Sequence, residues 1–399
     1  MITVVGIGAD GWSGLTDAAR TAIVAADEVI GSERQLATLP ASIAPRRTLP
    51  SPLTPLIDEL AAANGDRRIA VLASGDPMLH GIGATLARRV EPSRLSVISH
   101  PSAFALACAR LGWPEADVEL VSAVARAPAV VARLLQPRRR VIVYATAADG
   151  ARTIACLLTD AGYGASRFVV LEQLGGSGER ITDTTAAGWG ERHADPLHAV
   201  AIECAARTSR GVRSLVPGLP DDAFETDGAL TKRHVRAATL AALAPLPQAR
   251  LWDVGAGSGS IAIEWLRAER TASAVAIEQR ADRAQRIARN AGTLGVPHLD
   301  VVTGAAPAVL ADLPPPDAIF IGGGITTPGV LDACWDALTS GGRLVANAVT
   351  LESEQVLVAE HSRRGGELVR IEISHAGPIG GFTGWRTQMP VVQWSAVKA

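Results

Sequence analysis

The sequence predicts an α/β protein with two successive cores, the second of them Rossmann-like. Short apolar runs alternate with segments of helical spacing along most of the chain, the pattern of mainly parallel sheets covered by helices. A length of 399 residues, 48% hydrophobic and 20% charged, exceeds one ordinary core and suffices for two without disulfide staples. Finally, Leu251-Trp252-Asp253-Val254 runs into Gly255-Ala256-Gly257-Ser258-Gly259 and then into a helical stretch from Ser260. Glu278 ends the next short strand at roughly the twenty-residue interval expected of an acid that grips a ribose.

Taken in order, Ile2-Thr3-Val4-Val5 is a strand opening into Gly6-Ile7-Gly8, and Thr16 is placed to cap a helix through Ala26. A dinucleotide site would need an acid after the second strand, but Glu28-Val29-Ile30 ends in Gly31. Arg68–Ala73 is a strand leading to Ser74-Gly75-Asp76-Pro77, where a permissive glycine precedes a φ-fixed proline. Asp76 reads there either as a pocket residue or as a cap of the helix that follows. Strands at Leu95–Ile98, Val118–Val121 and Val141–Tyr144 are followed by helices from Ser102 to Leu111, up to Leu135, and from Gly150 to Ala161. The closely spaced strands from Phe168, Arg180 and His198 predict a more antiparallel subdomain. Residues 207–222 lack periodicity and contain Pro217, Gly218 and Pro220, so they read as a linker between domains at 1–206 and 223–399.

In the second half, Thr231 is a reasonable N-cap for a helix through Leu243. A basic helix is expected from Arg280 to Leu294 and strands at Leu299–Thr303 and Asp317–Ile321. The open backbone of Gly322-Gly323-Gly324 then falls at the switch-point crevice where such folds bind substrates. A further turn and strand span Gly341 to Glu352.

The tight G-x-G-x-G turn after Asp253 resembles the S-adenosylmethionine turn of class I, Rossmann-like methyltransferases rather than the longer dinucleotide fingerprint. In the first half, five motifs in order resemble the tetrapyrrole methylases, a class III two-subdomain fold. They are Val5-Gly6-Ile7-Gly8 with Leu15-Thr16, Ser74-Gly75-Asp76-Pro77, Pro101-Ser102-Ala103, Tyr144-Ala145-Thr146 and Leu171-Glu172-Gln173-Leu174-Gly175. The segment around Thr231, the triple glycine and Asn347-Ala348-Val349-Thr350-Leu351-Glu352 resemble the decarboxylating corrin-ring methyltransferases of cobalamin synthesis. Their order in one chain is similar to that of a fused methylase family.

That resemblance implies two S-adenosylmethionine sites, one per domain. The first would use Gly6, Gly8, Gly75, Asp76, Pro77 and Ser102. The second would use Thr231, Asp253, Gly255, Ala256, Gly257, Ser258, Gly259 and Glu278, with Ala305 or Ala306 where related enzymes place an acid for the adenine amine. It also implies a precorrin substrate, precorrin-6Y, methylated at ring carbons 5 and 15 with loss of an acetate carboxyl, to give precorrin-8. The catalytic residues stay open; Arg233, Arg236, Asn347 and Glu352 are candidates for handling substrate, the arginines because planar forks pair bidentately with carboxylate arms. Methylation of another tetrapyrrole position, or of RNA, is the alternative.

The net charge of −2 and 4% aromatic content give no sign of nucleic-acid binding. Cys108, Cys156, Cys204 and Cys334 make no C-x-x-C pair, so buried free thiols and no metal site are expected. Without a signal-like start or a membrane-length apolar run, a cytoplasmic protein with no membrane partner is expected, assembled as a homo-oligomer.

Overall fold

The computed structural model describes residues 1–43, 45–63, 67–145, 147–205 and 212–399. The chain forms two compact units, one of Met1–Pro128 with Leu135–Gly211 and one of Ala129–Leu134 with Val212–Ala399.

The first unit opens with β1 (Ile2–Ile7), α1 (Asp17–Val24), β2 (Glu28–Gly31), α2 (Glu33–Ala37), β3 (Arg46–Thr48), α3 (Thr54–Ala62), β4 (Ile69–Ser74), α4 (Ile82–Leu86) and β5 (Leu95–Ile98). The five strands make one parallel sheet in the order β3-β2-β4-β1-β5. β1 and β4 are central and apolar on both faces, which is why their sequences run unbroken instead of alternating. Val4 and Val71 pack with Leu56 and Leu60 on one face, while Val5 and Leu72 pack with Ile23 on the other. Thr16 caps α1 as its spacing predicts, accepting from Ala19 N at 3.2 Å.

The same unit continues with α5 (Ala103–Leu111), β6 (Val118–Ser122), β7 (Arg140–Ala145), α6 (Gly150–Asp160), β8 (Arg167–Glu172), β9 (Arg180–Thr185), α7 (Ala186–Trp189) and β10 (His198–Glu203). Its sheet runs β6-β7-β10-β8-β9, with only β6 and β7 parallel. The close strand spacing thus does mark an antiparallel region. The helix expected to end at Leu135 is instead a 3-10 turn over Pro128–Leu134. Cys156 is exposed, unlike the other three thiols, because it lies on the outer face of α6 away from Ala155 and Leu158.

The second unit comprises α8 (Arg233–Leu243), β11 (Arg250–Val254), α9 (Ser260–Ala268), β12 (Ser273–Glu278), α10 (Ala281–Thr293), β13 (Asp300–Thr303), β14 (Ala318–Ile321), α11 (Val330–Ala337), β15 (Arg343–Ala348), α12 (Leu351–Arg364), β16 (Glu367–Ile371), β17 (Ser374–Ile379), β18 (Phe382–Thr387) and β19 (Val391–Val397). Seven strands order as β13-β12-β11-β14-β15-β19-β16, so the sheet reverses direction of growth between β11 and β14. That reversal opens the crevice at the carboxyl ends of these two strands. β17 and β18 stand apart as a two-stranded hairpin.

Part of the expected linker, residues 207–211, lies outside the described residues. The rest is no free hinge. Leu219 is buried, and the N–H groups of Gly218 and Leu219 donate to the Glu264 carboxylate. Glu264 is itself buried and ion-paired at 2.6 Å with Arg236, whose side chain is wholly inaccessible. Arg236 also reaches Asp221 at 3.1 Å and stacks 4.8 Å from the Phe224 ring centroid. Removing one member of such a pair leaves a buried charge unmatched. Arg236→Ala is therefore expected to destabilise this unit by about 3–5 kcal/mol in urea denaturation, and a loss below about 1 kcal/mol would show the pair to be dispensable.

Candidate functional site

The three glycines after β11 are fixed by backbone geometry. Gly255, Gly257 and Gly259 have φ of 71°, 60° and 75°, a region side chains rarely adopt. Space forbids a Cβ as well. It would meet Gly323 backbone at 2.9 Å from Gly255, the Ala229 carbonyl at 2.9 Å from Gly257, and Ile287 at 2.7 Å from Gly259. The first of these contacts brings the turn against the triple-glycine loop across the strand-order switch.

Two buried carboxylates hold this turn. Glu278 accepts from Gly257 N at 2.9 Å through one oxygen and from Arg280 N at 3.0 Å through the other. Asp253 accepts from Ala262 N in the first turn of α9 at 3.0 Å, while its second oxygen has no hydrogen bond among the described residues. Burial, helped by the neighbouring Glu278 charge, pushes the Asp253 carboxyl up to about 7. The Ser258 hydroxyl is likewise buried and without a partner. Buried polar atoms left unmatched beside a turn that admits no side chain suit a polar ligand lying against the backbone. Ala256 is half-buried in the turn; Ala305 is exposed and Ala306 half-buried just beyond β13.

Asn290 is a site residue that the sequence reading missed. Its amide donates to Ser258 O and Glu225 O, both at 3.0 Å, and accepts from Glu225 N at 2.8 Å, which ties the glycine turn to the segment before α8. Asp227 in that segment pairs with Arg283 at 2.9 Å and Arg286 at 3.3 Å, and these arginines hold its carboxyl well below the usual range. Arg289 pairs with Glu225 at 3.0 Å. The basic face of α10 thus serves to seat this strap.

At the substrate end several expectations need correction. Thr231 does not cap α8, since Lys232 is the N-cap; the Thr231 carbonyl instead accepts from Arg236. Arg236 cannot reach an acetate or propionate arm, because its guanidinium is consumed by Glu264, Asp221 and the Leu219 carbonyl. Arg233 is exposed, and its Nε donates to Gly218 O at 2.8 Å. Asn347 donates to Thr239 Oγ1 at 2.9 Å and accepts from Gln393 at 2.9 Å, forming a closed polar triad with Thr239. Glu352 is exposed in the first turn of α12, where a carboxylate complements the helix dipole.

In the first unit a cavity of about 480 Å³ lies against the carboxyl ends of β1 and β4, lined by Gly8, Gly75, Asp76, Ser102, Tyr144 and His198 among others. Gly75 has φ of 60°, and its N–H donates to Ile7 O at 3.0 Å. Gly6 and Pro77 stand behind the lining: a Cβ on Gly6 would meet the Gly75 carbonyl at 2.3 Å, and Pro77 is buried beneath Gly81 and Gly83. Asp76 does not cap α4, whose N-cap is Gly81; it accepts from Met78 N at 2.7 Å in a local turn. Ser102 caps α5 through Ala105 N at 3.0 Å. Thr146, expected with Tyr144 and Ala145, lies outside the described residues. The sequence reading did not single out His198, a buried ring with Nδ1 2.6 Å from Asp195 O and with no partner for Nε2 among the described residues. Only the fold brings His198 to a wall of this cavity.

Residues 1–188 match the family model described as Tetrapyrrole (Corrin/Porphyrin) Methylases, and residues 222–398 match the one described as Precorrin methyltransferase domain. A relative from Sinorhizobium sp, "Precorrin-6Y C(5,15)-methyltransferase [decarboxylating]", is 49% identical over 399 residues, covering 100% of this chain and 96% of its own. The chain belongs to the precorrin-6Y C(5,15)-methyltransferase family. Two shorter relatives carry the two positions separately in their names. "Cobalt-precorrin-7 C(5)-methyltransferase" of Salmonella typhimurium is 37% identical over 45% of this chain and 89% of its own. "Probable cobalt-precorrin-6B C(15)-methyltransferase (decarboxylating)" of Saccharolobus solfataricus is 31% identical over 40% of this chain and 82% of its own. Members of the precorrin-6Y methyltransferase family are S-adenosylmethionine-dependent, and the unmatched Asp253 and Ser258 atoms beside a turn that admits no side chain are compatible with a polar group of that kind.

Two outcomes follow. Glu278→Gln keeps an acceptor for Gly257 but lacks the charge, so S-adenosylmethionine affinity of the second unit should fall by about tenfold with the melting curve retained; unchanged affinity would make Glu278 a loop brace alone. Asp253 binds its proton more tightly folded than unfolded, so its contribution to stability is complete below about pH 4 and is lost as pH rises toward about 7. Asp253→Asn should therefore raise the melting temperature relative to the parent at pH 8 and not at pH 4; an equal shift at both would refute the ionisation.

Proposed function

We propose that the chain methylates precorrin-6Y at ring carbons 5 and 15 and releases an acetate carboxyl as carbon dioxide, giving precorrin-8, with one S-adenosylmethionine site in each unit. In this reading residues 1–206 methylate carbon 5, and residues from about 222 methylate carbon 15 and decarboxylate. The observation that supports it most is the presence of two unlike glycine-based sites, each backed by its own sheet, in a chain with a full-length relative of that name. The separately named C(5) and C(15) relatives favour the division.

Bound S-adenosylmethionine supplies a methyl group on an electrophilic sulfonium. The residues then need only position it, because an enamine-like ring carbon is already nucleophilic. A carbon–carbon bond forms as the methyl–sulfur bond breaks. In decarboxylation the bond to the carboxyl breaks, its electron pair passes into the conjugated ring, and a proton replaces carbon dioxide. Gly322–Gly324 beside the Gly255 turn leave room for a broad macrocycle to approach the methyl closely. Asn347, held by Thr239 and Gln393, serves as a rigid floor rather than an acid or base.

The cytoplasm is the compartment proposed for this chemistry; among the described residues no helix is long and apolar enough to cross a membrane. Assembly as a homo-oligomer is favoured by Trp385 and Met389, 75% and 69% exposed.

The test uses full-length protein, labelled S-adenosylmethionine and precorrin-6Y, with product mass as readout. The parent should add two methyl groups and lose carbon dioxide. Gly257→Arg, which fills the second turn, should abolish decarboxylation, whereas Gly6→Val should leave a singly methylated, decarboxylated product. Decarboxylation that survives Gly257→Arg would overturn the division.

A further inference from the structure

The β17–β18 hairpin projects from the same edge of the sheet as the candidate site. β15 and β16 are both antiparallel to β19, so β16 runs with β11 and β14 and ends beside their carboxyl ends; β17 starts just beyond it. Strand pairing sets His375 opposite Arg386, Gly377 opposite Gly384 and Ile379 opposite Phe382, which puts these six on one face. Trp385 belongs to the other face, opposite Ala376.

The His375 face turns toward the start of α8. The His375 ring lies 5.6 Å from that of His234, centroid to centroid, and Gln388 Nε2 is 3.1 Å from His375 Nε2. Arg386 lies along the hairpin, donating to Pro378 O at 2.8 Å, with its stem over Gly377. Arg233 adjoins His234 in sequence and is exposed.

Half of the exposed arginines of this unit, Arg280, Arg289, Arg363 and Arg370, pair with acids. Arg233 and Arg386 do not, and they are set apart by the two imidazoles beside them. Among the described residues no carboxylate lies within 4.0 Å of Arg233, His234, His375 or Arg386. Two arginines without a counter-ion, with two mutually tilted imidazoles between α8 and the hairpin, form at the mouth of the crevice a site of positive potential that an external anion would stabilise. Guanidinium and imidazole N–H groups are the donors that bind carboxylates with charge-assisted hydrogen bonds. The opposed pair Gly377 and Gly384 leaves the middle of the face without bulky side chains, which suits the edge of a flat or domed macrocycle.

We infer that Arg233, His234, His375 and Arg386 form a carboxylate clamp for the acetate and propionate arms of the tetrapyrrole, with α8 as one side and the hairpin as the other. The clamp rests on the proposed function for the identity of the substrate and adds to it the residues that recognise the arms.

The test is made in the full chain with His375→Gln/Arg386→Gln, with Arg233→Gln as an independent variant on α8 and Thr383→Ala on the opposite face as control. KM for precorrin-6Y should rise about tenfold in the first two, with kcat within about twofold and S-adenosylmethionine affinity unchanged. Uroporphyrin, an octacarboxylate, should bind about tenfold more weakly to the same variants by fluorescence quenching, while its octamethyl ester should be insensitive to them. Unchanged KM and unchanged uroporphyrin affinity would overturn the clamp, as would dissociation of an oligomer in place of a KM effect, which would make the face a contact between copies. If the parent fails to methylate precorrin-6Y yet its uroporphyrin binding is lost in the variants, the proposed reaction fails and the anion clamp stands.

Discussion

The second unit depends on burying two carboxylates behind a backbone that no side chain can enter. Asp253 and Glu278 are respectively 1% and 3% exposed, yet three of their four oxygens take backbone N–H groups from the very turn and helices they support. Burial without such partners would be prohibitively costly. The turn can offer its N–H groups because Gly255, Gly257 and Gly259 bend through the left-handed region, and it can sit close to Gly323, Ala229 and Ile287 because none of the three carries a Cβ. The strap from Glu225 to Ala229 is then placed by Asn290 and the arginines of α10, and α8 by the Arg236–Glu264 pair. The glycine turn is therefore tied to the strap through Asn290, and α8 to α9 through the Arg236–Glu264 pair.

The first unit meets a similar need by other means. Its β2 ends in Gly31 rather than in an acid, and its glycines are spread over two strands, Gly6 near the end of β1 and Gly75 after β4, so close together that a Cβ on the former would strike the carbonyl of the latter. Its cavity is walled by capping and local-turn residues, Ser102 and Asp76, and by two rings, the half-buried Tyr144 and the buried His198. Burial pushes the Tyr144 phenol above its usual range and His198 below its own, which favours neutral rings along this wall. The two glycine-based pockets share little beyond their glycines.

The sequence made local features legible: apolar strands leading into glycines, the Thr16 cap, the interval from the turn to Glu278 and the antiparallel end of the first half. Each depends on near neighbours along the chain. What it concealed were partnerships between distant positions. Arg236 looked like a ligand for a substrate carboxylate because its own acid lies 28 residues on, in the helix after the glycine turn, and Asn347 looked like a substrate ligand because Thr239 and Gln393 are separated from it by 108 and 46 residues. Thr231 failed as a cap because the helix starts one residue later, at a position where Arg236 claims its carbonyl. The β17–β18 hairpin escaped notice since Gly377, Gly384 and mixed polar residues interrupt the alternation by which strands are recognised.

The central claim is that one chain carries two independent S-adenosylmethionine sites built on different folds. Titration calorimetry of the full-length protein with S-adenosylmethionine measures this directly. The account predicts two sites per chain in the parent and one in Gly257→Arg. A single site in well-folded parent protein, or two retained in Gly257→Arg, would contradict it.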